Sequence, residues 1–230
     1  MMNQAGQILD DHARARAAYK MGHFEDALEI WKSGAEVGDE EAQCWLGSLY
    51  ANGEGVEVDD ELAFRWYLAA AKQGNHMAQA NVGAFCFMGR GTKKHIKDAV
   101  TWLTASANGG DLNGLFNLAV LYSKGDGVPE DREKAASLYR RAAELGHYPS
   151  QSRLGYIYAQ GNGLPKDRVQ AYLWLSLASQ HGIGTALNAL EAVVKEMSAE
   201  EKAKGANLFE EWRSRTKSRD GQVALYPMPA

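Results

Sequence analysis

AQCWLGSLYANGEGVEVDDELAFRWYLAAAKQG, residues Ala42 to Gly74, carries two apolar rhythms separated by a Gly-x-Gly pair. In its first half Ala42, Leu46 and Tyr50 recur every four residues, and in its second half Ala63, Trp66, Tyr67, Ala70 and Ala71 form a wide stripe. Spacings of three to four place such residues on one face of a helix, whereas a half-buried strand would alternate. Gly53 and Gly55 follow the first helix, where glycine tolerates the positive φ of a helix end. Asp59 stands where the second helix begins, and its carboxylate can accept from free backbone N–H groups and oppose the helix dipole. The stretch therefore predicts helix, tight turn, helix.

The pattern repeats without insertion. Ala27, Ala63, Ala99, Ala135 and Ala171 lie 36 residues apart, as do the closing glycines Gly38, Gly74, Gly110, Gly146 and Gly182. The Gly-x-Gly pair returns at Gly89/Gly91, Gly125/Gly127 and Gly161/Gly163, and the capping aspartate at Asp131 and Asp167, with His95 breaking the rule. Gly47, Gly83 and Gly155, with Ala119 in the same place, sit in mid-helix although glycine there costs about 1 kcal/mol relative to alanine. A position kept so small predicts close approach of two helices. A fixed period of this length marks an array in which each two-helix unit buries apolar surface only against its neighbours.

These residues resemble the Sel-one-like repeat family, a branch of the tetratricopeptide superfamily, whose pattern is nearly reproduced from Ala42 to Gly74 and recurs, with changes, to Gly182. Departures are Cys86 for tyrosine, Thr92 for valine and Ala119 for glycine. The resemblance implies an all-α fold, a right-handed α-α superhelix (solenoid) of helix-turn-helix repeats with a 36-residue period, in which the helix of the Ala42 type lines the concave side. It also implies scaffolding or assembly in place of catalysis. Four repeats are expected over residues 39–182, a capping tetratricopeptide-like unit over 1–38, capping helices over 183–213 and a flexible tail over 214–230. Tyr19, Phe24, Ala27 and Trp31 would close the first end, since a terminal unit needs a polar outer side. At the other end Ser198 and Glu201 have capping-box spacing.

Composition narrows the partners. A net charge of −4 lacks the basic footprint of a nucleic-acid or anionic-membrane binder. Only Cys44 and Cys86 are present, which is no disulfide framework. The first thirty residues hold Asp10, Asp11, Arg14, Arg16, Lys20, Glu25 and Asp26, leaving no apolar run for secretion, and no window reaches membrane-span length. The expectation is a cytoplasmic monomer, with no membrane insertion and no nucleic acid, whose partner is another protein or peptide.

Chemistry has weak claims. His12, His23, His76, His95, His147 and His181 show no metal-site spacing, so neither a metal nor any other cofactor is expected. The Gly-x-Gly pairs lack both the third glycine of a dinucleotide loop and a following Gly-Lys-Ser/Thr, and their fourfold recurrence suits helix termination. Trp31, Trp66, Trp102 and Trp174 are expected in the core. Cys44 and Cys86 fall on opposed helical faces relative to the repeat pattern, against a disulfide. Arg213, Arg215, Lys217 and Arg219 form a basic run that is either a solvated tail or a contact for an acidic partner.

On the helix of the Ala42 type, the face opposite Ala42, Leu46 and Tyr50 varies between copies while the packing positions repeat. Its candidate partner-binding residues are Trp45, Asn81, Asn117, Lys124, Arg153 and Tyr156. The asparagines would hydrogen-bond a peptide backbone, Lys124 and Arg153 would take carboxylates, and Trp45 and Tyr156 would offer flat apolar contact. Two alternatives stay open: a merely solvated face, and an enzyme with its active site in the groove, for which no catalytic constellation is evident.

Overall fold

The computed structural model describes residues 4–216. Among them are twelve α-helices and no strand: α1 Gln4–Lys20, α2 Phe24–Glu36, α3 Glu40–Asn52, α4 Asp60–Lys72, α5 His76–Met88, α6 Ile96–Asn108, α7 Leu112–Lys124, α8 Arg132–Glu144, α9 Tyr148–Gln160, α10 Arg168–Gln180, α11 Gly184–Glu196 and α12 Ala199–Thr216. The chain is an all-α helical-repeat solenoid in class. It forms two compact units that divide between Gly114 and Leu115, within α7. The last residues of the expected tail, 217–230, lie outside the described residues.

In the first unit, N-cap side chains start the helices. Asp39, Asp59, Asn75 and Asp111 accept from the backbone N–H three residues on, at 2.7, 2.9, 2.9 and 2.7 Å. His95 makes no such bond. Gly53 ends α3 with φ 72°, and its N–H donates to Leu49. Gly55 has a second reason to be glycine: a Cβ there would lie 2.7 Å from the backbone of Phe24, one helix pair earlier, and Gly91 meets Asp60 in the same way. Two further links recur at fixed offsets. The Asp59 and His95 N–H groups donate to the Tyr50 and Cys86 carbonyls, and Gln43 and Gln79 reach back to Ala35 and Ala71.

The core explains the mid-helix glycines. A Cβ on Gly47 would lie 2.8 Å from the Tyr67 ring, and one on Gly83 would lie 2.6 Å from Leu103. Trp31, Tyr67 and Leu103, one period apart, are all fully buried. Of the tryptophans expected in the core, Trp31 and Trp174 are buried, whereas Trp66 and Trp102, one residue earlier than the Trp31 line, are only partly buried and pack against the core from its edge. At the N-terminal end Trp31 stacks on Trp45 with centroids 4.5 Å apart and planes 2° apart, and Tyr19 of α1 lies 5.1 Å from Trp45. His12 and Arg16 tie α1 to Asp39 and Glu41, each at 3.0 Å.

The second unit follows the same rules. Asp131 and Asp167 cap α8 and α10, Gln151 bonds Ala143, and a Cβ on Gly155 would lie 2.6 Å from Leu175. Helix α12 closes it with the expected reciprocal bonds: Ser198 N–H to Glu201 at 2.7 Å, and Glu201 N–H to the Ser198 hydroxyl at 3.1 Å. Its Leu208, Phe209 and Trp212 pack on Leu173, Trp174 and Leu177, with Trp212 edge-on to Trp174 at 4.9 Å.

Candidate functional site

Helices α3, α5, α7 and α9 carry the six candidate residues, and their neighbours give each a different setting. Trp45 is 2% exposed and belongs to the core under α1. The expectation that it offers a flat contact surface is corrected: α1 and α2 supply Tyr19 and Trp31, which take up both its ring and its water-facing side. Asn81 is also buried, with its amide nitrogen lacking a hydrogen-bond partner among the described residues. Asn117 is half-buried and Lys124 exposed.

Arg153 and Tyr156 are brought together. They line a groove in the second unit with Phe116 of α7, Pro149, Ser152 and Gln160 of α9, and Ile183 and Thr185 at the start of α11. Tyr156 donates its hydroxyl to the Thr185 carbonyl at 2.8 Å, which fixes its ring as part of the wall. Arg153 is exposed and has no carboxylate within ion-pairing distance among the described residues. Its charge opposes the rise that burial imposes on the Tyr139 hydroxyl. Sequence reasoning missed Phe116, Pro149, Ile183 and Thr185. Phe116 shares a stripe of α7 with Val120 and Lys124, a signal that was available, whereas the α11 turn is adjacent only in three dimensions.

A second depression is lined by Tyr122, residues 129–134 and residues 161–163. Its cations are already engaged: Arg132 holds Glu130 at 2.5 Å and Asn162 at 2.8 Å, and Lys134 holds the Tyr122 hydroxyl at 2.8 Å. It binds the chain to itself.

The reactive groups are muted. Cys44 and Cys86 are free and buried, and although they stand at opposed positions of the repeat, both belong to one core cluster. Burial pushes both thiols up, suppressing the nucleophilic thiolate. Burial pushes His147 down to about 4. Its Nδ1 lies 2.7 Å from the Ser150 hydroxyl, and its ring meets Phe116 edge-on. Among the described residues no group of three or more His, Cys, Asp or Glu could hold a metal, and no helix is long and apolar enough to cross a membrane. Of the basic run, Arg213 pairs with Glu210 at 3.3 Å and Arg215 lies over Trp212, while Lys217 and Arg219 lie outside the described residues.

The Sel1 repeat family matches this chain at residues 40–75, 76–111, 113–147 and 149–183, which is more than half of its length. The chain belongs to the Sel1 repeat family. Proteins built of Sel1 repeats are typically non-catalytic scaffolds for protein interaction. Among solved structures, this Sel1 repeat chain is similar to c5321, a protective antigen of uropathogenic Escherichia coli with the same repeat fold, at TM-score 0.76 and 30% identity over 92% of this chain and 50% of that one. It is also similar to a Sel1 repeat protein from Oxalobacter formigenes, at TM-score 0.66 and 32% identity over 74% of this chain and 49% of that one. It thus spans about half of either structure. An exopolysaccharide production negative regulator of Rhizobium leguminosarum bv. viciae is 40% identical over 55 residues, 24% of this chain and 21% of that protein.

Proposed function

We propose that this Sel1 repeat chain is a non-catalytic adaptor that seats one partner protein or peptide segment on the face formed by α7, α9 and the start of α11. One observation carries the reading. Positions that hold the helices together repeat from copy to copy and are buried, whereas Lys124, Arg153 and Tyr156 differ from their counterparts in other copies and stand open or half-open, the last two lining an apolar groove. The groove lining offers a guanidinium and aromatic walls, and its residues include no carboxylate, imidazole or thiol that would serve as base or nucleophile. Trp45 and Asn81 drop out of the site because they are buried. Free, buried cysteines suit a reducing compartment, and we place the protein in the cytoplasm.

Site-specific photo-crosslinking tests the reading. A benzophenone side chain at position 156 is expected to trap one predominant protein from a lysate of the source organism, and one at Arg65, exposed on α4, is expected to trap none. Equal labelling from both positions would contradict the assignment.

A further inference from the structure

Arginines in the second unit are, as a rule, engaged. Arg132 holds Glu130, Arg168 lies 3.5 Å from Glu196 and 3.4 Å from Glu201, Arg213 holds Glu210, and Arg140 bonds the Tyr158 hydroxyl at 2.7 Å. The chain has 29 acidic and 25 basic residues, so carboxylates are not scarce. Arg153 nevertheless stands exposed with no carboxylate in reach among the described residues, at the edge of a groove walled by Phe116, Pro149, Tyr156 and Ile183. Among the described residues it is the only formal charge in that lining. Two turns along the same stripe of α7 from Phe116, about 12 Å by helical rise, the exposed Lys124 adds a second positive charge.

From this charge pattern we infer that the groove takes an acidic linear segment of a partner protein, with an Asp or Glu carboxylate on Arg153 and a neighbouring bulky apolar side chain against Phe116 and Tyr156. This inference rests on the adaptor reading and specifies its ligand. A guanidinium offers a planar pair of donors that matches a carboxylate, and an apolar wall beside it excludes water and strengthens the pair. The Tyr156 hydroxyl is engaged with Thr185, so its ring face is what the occupant meets.

The test is selection from a random linear-peptide library displayed on phage, run in parallel on the wild-type protein and on Arg153→Gln. An exposed cation elsewhere in the unit, Lys202, is changed to Gln as a control for lost charge. Selected peptides are then synthesised and titrated as they stand and with Asp→Asn or Glu→Gln replacements. Wild-type selection is expected to enrich an acidic residue next to Leu, Ile, Phe, Tyr or Trp. Arg153→Gln, or neutralising that acid, should weaken binding by about tenfold or more, while Lys202→Gln changes it by less than about twofold. Added salt should weaken the wild-type complex and have less effect on the Arg153→Gln complex. Enriched peptides without acids, acidic peptides indifferent to Arg153→Gln, or no enrichment at all would each overturn the inference. The adaptor reading would still be decided separately, by crosslinking from position 156. Light scattering covers a further occupant: association of the chain with itself that Arg153→Gln abolishes would assign the groove to a second copy and overturn a separate acidic partner.

Discussion

Trp45 and Arg153 occupy the same place in the repeat, three periods apart, and meet opposite surroundings. In the first unit that place lies beneath α1, and an indole fills it, stacked on Trp31 and flanked by Tyr19. In the second it looks onto an open groove, and a guanidinium stands there with no carboxylate in ion-pairing distance among the described residues. The repeat fixes where the backbone runs, and each unit's own neighbours decide whether a side chain becomes core or surface. A terminal unit closed by an extra helix gives up its face, and a unit further along keeps it.

The largest expected effect divides the two residues. Trp45→Ala should cost about 3–5 kcal/mol by urea denaturation, because it empties a stacked, fully enclosed site. Arg153→Ala should stay within about 0.5 kcal/mol of the parent, as exposed changes usually do. Similar losses in both variants would break the comparison.

A smaller effect separates the units by pH. Helix α9 begins at His147, where the equivalent helices of the first unit begin at Asp39 and Asn75 with side-chain caps. Burial holds the His147 imidazole at about 4, below its ordinary 6.5. Between those values the unfolded chain binds the extra proton, so stability is full above about pH 6.5 and falls as the pH drops toward 4. The loss is on the order of 3–3.5 kcal/mol, the free-energy equivalent of that pKa difference. Thermal melts across this window should show the slope, and His147→Asn, which restores an amide like Asn75, should flatten it. An unchanged slope would remove His147 as its source.

The smallest effect is a gain within the first unit. His95 leaves α6 without the side-chain cap that Asp59 gives α4, so His95→Asp should stabilise by about 0.5–1 kcal/mol in the same urea assay.

Much of this was legible in the sequence, because helix, turn and cap are local. The apolar rhythm, the Gly-x-Gly turns and the Asp caps each depend on residues within a few positions, and the 36-residue spacing exposes them all at once. Gly47 announced a close approach by size alone, and Tyr67 is what approaches. The misreadings came from matching residue type in place of register. Trp31 aligns with Tyr67 and Leu103, and Trp102 stands one residue, or about 100°, away from that buried line. A helical wheel drawn on Ala42, Leu46 and Tyr50 also leaves out the helix that arrives beside it, which is why Trp45 was read as open. The groove around Arg153 needed the α11 turn, which no spacing within α9 reveals.

The claim that the binding surface lies on the α7–α9–α11 face is tested most directly by titration calorimetry with the protein trapped from position 156. Lys124, Arg153 and Gln160, all exposed, are changed together to alanine, and the exposed Glu61, Arg65 and Lys72 of α4 are changed together as the matched variant. Both should melt like the parent. The groove variant should bind at least about a hundredfold more weakly, allowing for non-additivity, and the α4 variant should bind within about twofold of the parent. Loss of binding in the α4 variant with full affinity in the groove variant would place the surface elsewhere and contradict the account.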